Sequence, residues 1–259
     1  MSDWLPLAGR LGAWGYGRGP RLVFVHGFTQ TSNSWKPIAE GFADGGYECI
    51  LVDVPGHGES VDVRVDLPEA ADLLTSQCGP AVYIGYSLGG RLCLHAAVAH
   101  PQAVRGVAEI GGSPGIADDE QRSARRVADD RLADHIVEAG VGAFLDEWLS
   151  LPLFDDLEPD DQQRGDRLRN TPEGLAGSLR LAGSGAQHSL WPRLSDLAVP
   201  ALIIAGERDH KFVEIGRQMA ASVCNGKFVE IAGAGHAAHL QQPRLVVAGL
   251  KAWLNEISY

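Results

Sequence analysis

Gly85-Tyr86-Ser87-Leu88-Gly89 stands between an apolar run at residues 81–84 and an apolar-rich stretch of helical character at residues 92–98. A Gly-x-Ser-x-Gly at a strand-to-helix junction predicts a turn so sharp that only small residues fit beside the serine. Such a turn pushes the hydroxyl out above the sheet. The segment therefore asks for strands that lead into helices, and it marks Ser87 as a candidate nucleophile or base.

The rest of the chain agrees. Short apolar runs at residues 22–25, 47–52, 81–84, 106–110, 201–205 and 228–231 alternate with helical stretches. This alternation predicts an α/β fold with a mostly parallel sheet flanked by helices. In such sheets functional residues gather at the C-terminal strand ends, which is where the Gly-, His-, Asp- and Ser-rich segments fall here. Residues 116–197 hold no convincing strand, only charged helical patterns at residues 119–137, 142–149 and 160–181. The expected organisation is a core of residues 1–115 and 198–259, with residues 116–197 forming a helical lid inserted between late strands.

Bulk properties narrow the function. A chain of 259 residues that is 45% hydrophobic needs no disulfide staple, since it should bury roughly three quarters of its extended surface. The formal charge of −11 argues against nucleic acid or an anionic membrane as partner. It leaves room for a small anion in a cleft lined by arginine. Cys49, Cys78, Cys93 and Cys224 are scattered and form no C-x-x-C pair, so neither a metal site nor a cysteine nucleophile is expected. No signal peptide is visible, and no apolar run approaches the roughly 20 residues that span a bilayer. A cytoplasmic monomer or small homo-oligomer is expected.

A serine alcohol is a poor nucleophile or base until a histidine takes its proton, and the histidine needs an orienting carboxylate. Asp209 and His236 both follow apolar runs and glycines downstream of Ser87, in the chain order Ser, acid, His that this architecture uses. Each residue alone has a plainer reading: a turn for the serine motif, a helix cap for Asp209, a loop histidine for His236. Together they point to a triad. His26, His57, His95, His100 and His239 are weaker candidates by placement. The backbone N–H groups of Leu88 and Phe28, the latter in the loop after an early strand, would form an oxyanion hole. Such a hole serves a tetrahedral adduct or an enolate equally well.

With these residues the chain resembles the α/β-hydrolase fold superfamily. Within it the chain is most similar to the 2-succinyl-6-hydroxy-2,4-cyclohexadiene-1-carboxylate synthases of menaquinone biosynthesis. The likeness runs from Phe24 to about His239. It includes F-V-H-G-F at residues 24–28, D-V-P-G-H-G-E-S at 53–60, G-Y-S-L-G-G-R at 85–91 and G-G-S-P-G at 111–115. It continues with F-L-D-E-W-L-S-L-P-L-F at 144–154, L-R-N at 168–170, Q-H-S-L-W at 187–191 and G-E-R-D-H-K-F at 206–212. His188 departs from the proline expected in many relatives.

The resemblance implies a lyase that eliminates pyruvate from a tricarboxylate, with the triad acting as a base and no metal or organic cofactor. It also implies cations in the pocket, because arginine binds carboxylates through a two-pronged fork. Arg91, one helical turn after Ser87, and the lid residues Arg125 and Arg169 match the family's carboxylate-binding positions. Arg125 could instead pair with Asp129 at i,i+4 on a solvated helix face. Tyr86 and Lys211 are secondary candidates, and Trp148 and Phe154 are candidate pocket walls. A hydrolase of the same fold, either a carboxylesterase or a C–C hydrolase, would share the triad and both N–H donors. A noncatalytic binding protein is the remaining alternative.

Overall fold

A computed structural model describes residues 4–155, 157–158 and 161–259. Its eight-stranded sheet has the order β1-β2-β4-β3-β5-β6-β7-β8. The strands are β1 (Leu5–Pro6), β2 (Ala13–Gly17), β3 (Arg21–Val25), β4 (Glu48–Val52), β5 (Ala81–Tyr86), β6 (Val104–Ile110), β7 (Ala201–Gly206) and β8 (Gly226–Ile231). From β4 to β8 the strands pair in parallel, whereas β2 pairs antiparallel with both β1 and β4. The sequence reading did not single out β1 or β2. Ala13-Trp14-Gly15-Tyr16-Gly17 is broken by glycines, which weaken a strand signal.

The helices are α1 (Lys36–Ala43), α2 (Leu67–Cys78), α3 (Leu88–Ala99), α4 (Asp119–Leu149), α5 (Arg164–Arg167), α6 (Pro172–Ala182), α7 (His210–Ser222), α8 (Ala238–Gln241) and α9 (Pro243–Glu256). Both faces of the sheet are buried, so its central strands read as unbroken apolar runs. Along β3, Val23 and Val25 pack with α2 and α3, while Leu22 and Phe24 pack with α1 and α9. Cys49, Cys78 and Cys93 are buried free thiols, and Cys224 is exposed.

Between β6 and β7 lie α4, α5 and α6, which form a cap with an apolar core of its own. Ala133, Ile136, Phe144 and Leu145 of α4 meet Leu175 and Leu179 of α6. α4 bends at Gly140, whose φ of 76° and ψ of 162° break the helical ladder. The helical pattern at residues 160–181 falls on two helices, α5 and α6, and residue 160 lies outside the described residues. The break is local chemistry: Thr171 caps α6 through a bond from the Gly174 N–H at 3.0 Å, and Pro172 opens the helix. Among the described residues no helix is long and apolar enough to cross a membrane.

Candidate active site

The turn after β5 has the strain that its sequence predicts. Ser87 has φ 50° and ψ −107°, and its N–H donates to the Ile110 carbonyl at 2.8 Å. The two glycines are demanded by close approach. A Cβ on Gly85 would lie 2.3 Å from Gly89 backbone, and one on Gly89 would lie 2.2 Å from the Val25 carbonyl oxygen. The serine is thereby held at the start of α3 above the sheet.

Asp209 and His236 reach Ser87 from the ends of β7 and β8. His236 Nδ1 lies 2.6 Å from Asp209 Oδ2, and His236 Nε2 lies 3.4 Å from Ser87 Oγ. A carboxylate can only accept, so Nδ1 carries the proton and Nε2 is left to accept from the serine hydroxyl. The Asp209 and His236 side chains are nearly inaccessible, at 9% and 4% exposure. The imidazole is packed by Phe212, Tyr86 and Phe154, with ring centroids 4.8, 5.4 and 6.4 Å away.

These groups open onto a cavity of about 430 Å³ between the sheet and the cap. Phe28, Tyr86, Leu88, Arg91, Arg125, Trp148, Phe154 and Lys211 all line it together with the three triad candidates. Among the described residues neither the Phe28 nor the Leu88 N–H meets an acceptor, so both remain able to donate to an oxygen above Ser87. Trp148 packs on Phe28 at 5.5 Å and on Phe154 at 5.8 Å, and its indole N–H is buried without a partner among the described residues. The Lys211 ammonium lies 5.5 Å from the centre of the Phe212 ring. Burial pushes the Tyr86 phenol up from its ordinary value, so it stays a hydrogen-bond donor.

The cavity has a cationic wall. Arg91 of α3 is buried and donates through Nη1 to the Ala182 carbonyl at 2.7 Å and to Gln187 Oε1 at 3.1 Å, both in the cap. Desolvation, and then the charge of Arg125, lowers its pKa to about 10, which leaves it protonated at neutral pH. Arg125 both pairs within its helix and faces the cavity. Its Nε donates to Asp129 Oδ1 at 2.6 Å, as an i,i+4 pair should, and its side chain still lines the cavity. Asp129 itself is buried and accepts the Gly185 N–H at 2.9 Å.

Arg169 is not among the residues that line the cavity; its half-exposed guanidinium lies 3.4 Å from Glu59 and 3.3 Å from Asp166. Arg167, two residues earlier, turns inward and is 2% exposed. The four-residue α5 ends at Arg167 and Arg169 lies beyond it, so no helical periodicity spans the two arginines and the motif alone could not separate them. Arg208 and Phe212, which the sequence offers only as members of the 206–212 motif, also line the cavity.

His26 and His57 prove to be struts. Each Nδ1 donates to a backbone carbonyl (Gly27 at 2.8 Å, Pro55 at 3.2 Å), and each Nε2 accepts a backbone N–H (Val54 at 3.0 Å, Thr29 at 3.2 Å). Burial lowers their pKa values to about 4 and about 3, which keeps both neutral and able to accept. Glu109, buried behind the serine turn, is raised well above the carboxylate range by desolvation and by Asp209.

Comparison with known proteins places this geometry. The family model described as alpha/beta hydrolase matches residues 22–249. The chain is 34% identical to a 2-succinyl-6-hydroxy-2,4-cyclohexadiene-1-carboxylate synthase of Escherichia coli, covering 89% of this chain and 92% of that one. It superposes on the solved structure of MenH from S. aureus with a TM-score of 0.90 and 32% identity, covering 95% and 99% of the two chains. An esterase from Thermogutta terrifontis, at 22% identity and a TM-score of 0.83 over 99% of each chain, shares the fold.

Proposed function

The chain belongs to the alpha/beta hydrolase family, and from that premise we propose that it is a lyase of menaquinone biosynthesis. It eliminates pyruvate from 2-succinyl-5-enolpyruvyl-6-hydroxy-3-cyclohexene-1-carboxylate and yields 2-succinyl-6-hydroxy-2,4-cyclohexadiene-1-carboxylate. The observation that carries this reading is the Arg91–Arg125 wall. Two guanidinium groups close enough to oppose each other share one neighbouring carboxylate, Asp129, so that end of the cavity has an excess of positive charge. An ester with an apolar acyl group gains nothing from that arrangement, whereas a carboxylate-bearing substrate neutralises it.

In this mechanism Asp209 holds the His236 tautomer, and His236 takes the Ser87 proton. The serine oxygen removes the ring proton α to the succinyl ketone. Negative charge moves onto the ketone oxygen, where the Phe28 and Leu88 N–H groups stabilise it. When the ketone re-forms, a double bond forms at C2–C3 and the C3–C4 double bond shifts to C4–C5. The C5–O bond then breaks. The pair of electrons leaves with the enolpyruvyl oxygen, and the proton held by the triad returns to give pyruvate. Trp148 and Phe154 wall the ring, Tyr86 faces it as a further donor, and Lys211 adds a cation at the acid loop.

The test supplies the enolpyruvyl substrate and measures pyruvate release alongside hydrolysis of a nitrophenyl ester. Fast pyruvate release that is abolished in Ser87→Ala and strongly impaired in Arg91→Ala supports the lyase. Efficient ester turnover without pyruvate release would establish the hydrolase instead.

A further inference from the structure

The cap grips the active site at a second place, the backbone of the loop after β3. Thr29, next to Phe28, is fully buried and has φ 68°, in the left-handed region that β-branched residues avoid. Each of its polar groups is held by a side chain from elsewhere. Its N–H donates to His57 Nε2 at 3.2 Å, its carbonyl accepts Asn170 Nδ2 at 2.7 Å, and its Oγ1 accepts Arg167 Nη1. The same Nη1 lies 3.4 Å from the Phe28 carbonyl oxygen.

The grip extends to both sides. Thr31 Oγ1 and Asn33 Nδ2 donate to the Asp166 carboxylate at 2.5 and 2.7 Å, and the Gly58 N–H donates to Asn170 Oδ1 at 3.0 Å. Arg167 is unusual among these groups. It is a buried cation whose bonds end on neutral acceptors (Gln162 O at 2.7 Å, Phe28 O and Thr29 Oγ1), and among the described residues it makes no ion pair with a carboxylate. Burying such a charge is costly, and here the charge rests against the carbonyl of Phe28, the residue whose N–H is the second oxyanion donor.

We propose that Arg167 and Asn170 are positioning residues. Acting through Thr29 and the Phe28–Thr29 peptide, they fix the backbone at Phe28 so that its N–H, in the preceding peptide, keeps its donating orientation, and the oxyanion site is complete only when the cap segment at residues 166–170 is docked. The inference rests on the reading of Phe28 N–H as an oxyanion donor. It applies to any chemistry that places charge on that oxygen.

Steady-state pyruvate release and thermal melting are measured for Asn170→Ala, Arg167→Met and the double variant. Removing an oxyanion donor outright costs about 10²–10³ in kcat, so displacing one should cost about 10–100-fold, with KM unchanged within about threefold. The double variant should lose much less than the product of the two, because both act on one residue. Arg167→Lys should recover part of the loss. The rate of nitrophenyl acetate acylation should fall by a similar factor. A raised KM with unchanged kcat would place Arg167 on the substrate and overturn the proposal. So would a lowered melting temperature with full kcat.

If Arg167→Met does not fold, Thr29→Gly serves in its place, since it relieves the positive φ and removes the Oγ1 acceptor. A lower kcat without a lower melting temperature supports the clamp, and an unchanged kcat overturns it. Ser87→Ala in the same assay separates the two levels. If it retains pyruvate release, the reading of the site has failed. If it is dead while Asn170→Ala is fully active, only the clamp has failed.

Discussion

Replacing Arg91 by methionine removes the charge and keeps most of the stem. The guanidinium is buried against a cap carbonyl at 2.7 Å and a glutamine oxygen at 3.1 Å, and it is opposed by Arg125. Its loss leaves two acceptors unpaired, a cost of about 1–3 kcal/mol each at most. The removal of an imperfectly compensated buried charge offsets part of this cost, so a net stability change within about 2 kcal/mol is expected. Binding behaves differently. A charge-assisted bond to a substrate carboxylate contributes about 2–3 kcal/mol, which corresponds to roughly 30–200-fold in kcat/KM. The assay compares kcat/KM for the enolpyruvyl substrate with that for neutral nitrophenyl acetate. The ratio of the two should fall by roughly that factor. A parallel loss on both substrates would mean that Arg91 only holds the cap in place, and the argument for an anionic substrate would lose its support.

Other perturbations test the frame around the site. Asp129→Ala should destabilise by about 2–4 kcal/mol, because it strands the Gly185 N–H and the Arg125 guanidinium, and it should lower the thermal midpoint measurably. Gly89→Ala sets a Cβ 2.2 Å from the Val25 carbonyl oxygen and should cost at least about 100-fold in kcat. Gly41→Ala, whose Cβ meets nothing within 4 Å on α1, should instead stabilise by about 0.5–1 kcal/mol in denaturant titration. His26, His57, His95 and His239 have folded pKa values lowered by burial to about 4, 3, 4 and 3. Above pH 6.5 both folded and unfolded chains keep them neutral. Below it only the unfolded chain takes up protons until pH nears 4, so each imidazole should remove up to ~1.4 kcal/mol per pH unit. Melting midpoints should therefore fall steeply from pH 6.5 to 4.5, and a flat profile there would show that these rings are not held neutral.

The parallel part of the sheet and the placement of Ser87, Asp209 and His236 at its strand ends were legible because each is written in short-range signals. Apolar runs ending in glycine, serine, aspartate or histidine mark strand ends, and the close packing of Gly85 and Gly89 leaves few alternatives for the serine turn. The cap was legible in outline only. Its helices are charged and broken by Gly140 and by Thr171-Pro172, so their packing depends on partners distant in sequence. Arg125 illustrates the limit: pairing with Asp129 and facing the cavity are compatible in space, although the sequence presents them as rivals. Arg167 and Arg169 show it more sharply, since one turns to Thr29 from the last position of α5 and the other to Glu59 from just beyond it. The triad signal likewise carries no information about Thr29, whose role depends on side chains that arrive from residues 57, 167 and 170.

In pyruvate elimination Ser87 relays a proton and forms no covalent intermediate with the substrate. This relay is tested most directly by turnover of substrate deuterated at the ring carbon α to the succinyl ketone, with the intact protein mass followed during the reaction. A proton relay gives a primary isotope effect on pyruvate release, one pyruvate formed per diene, and an unchanged protein mass. A covalent adduct on Ser87 that forms and decays at the rate of turnover, with no isotope effect, would contradict it.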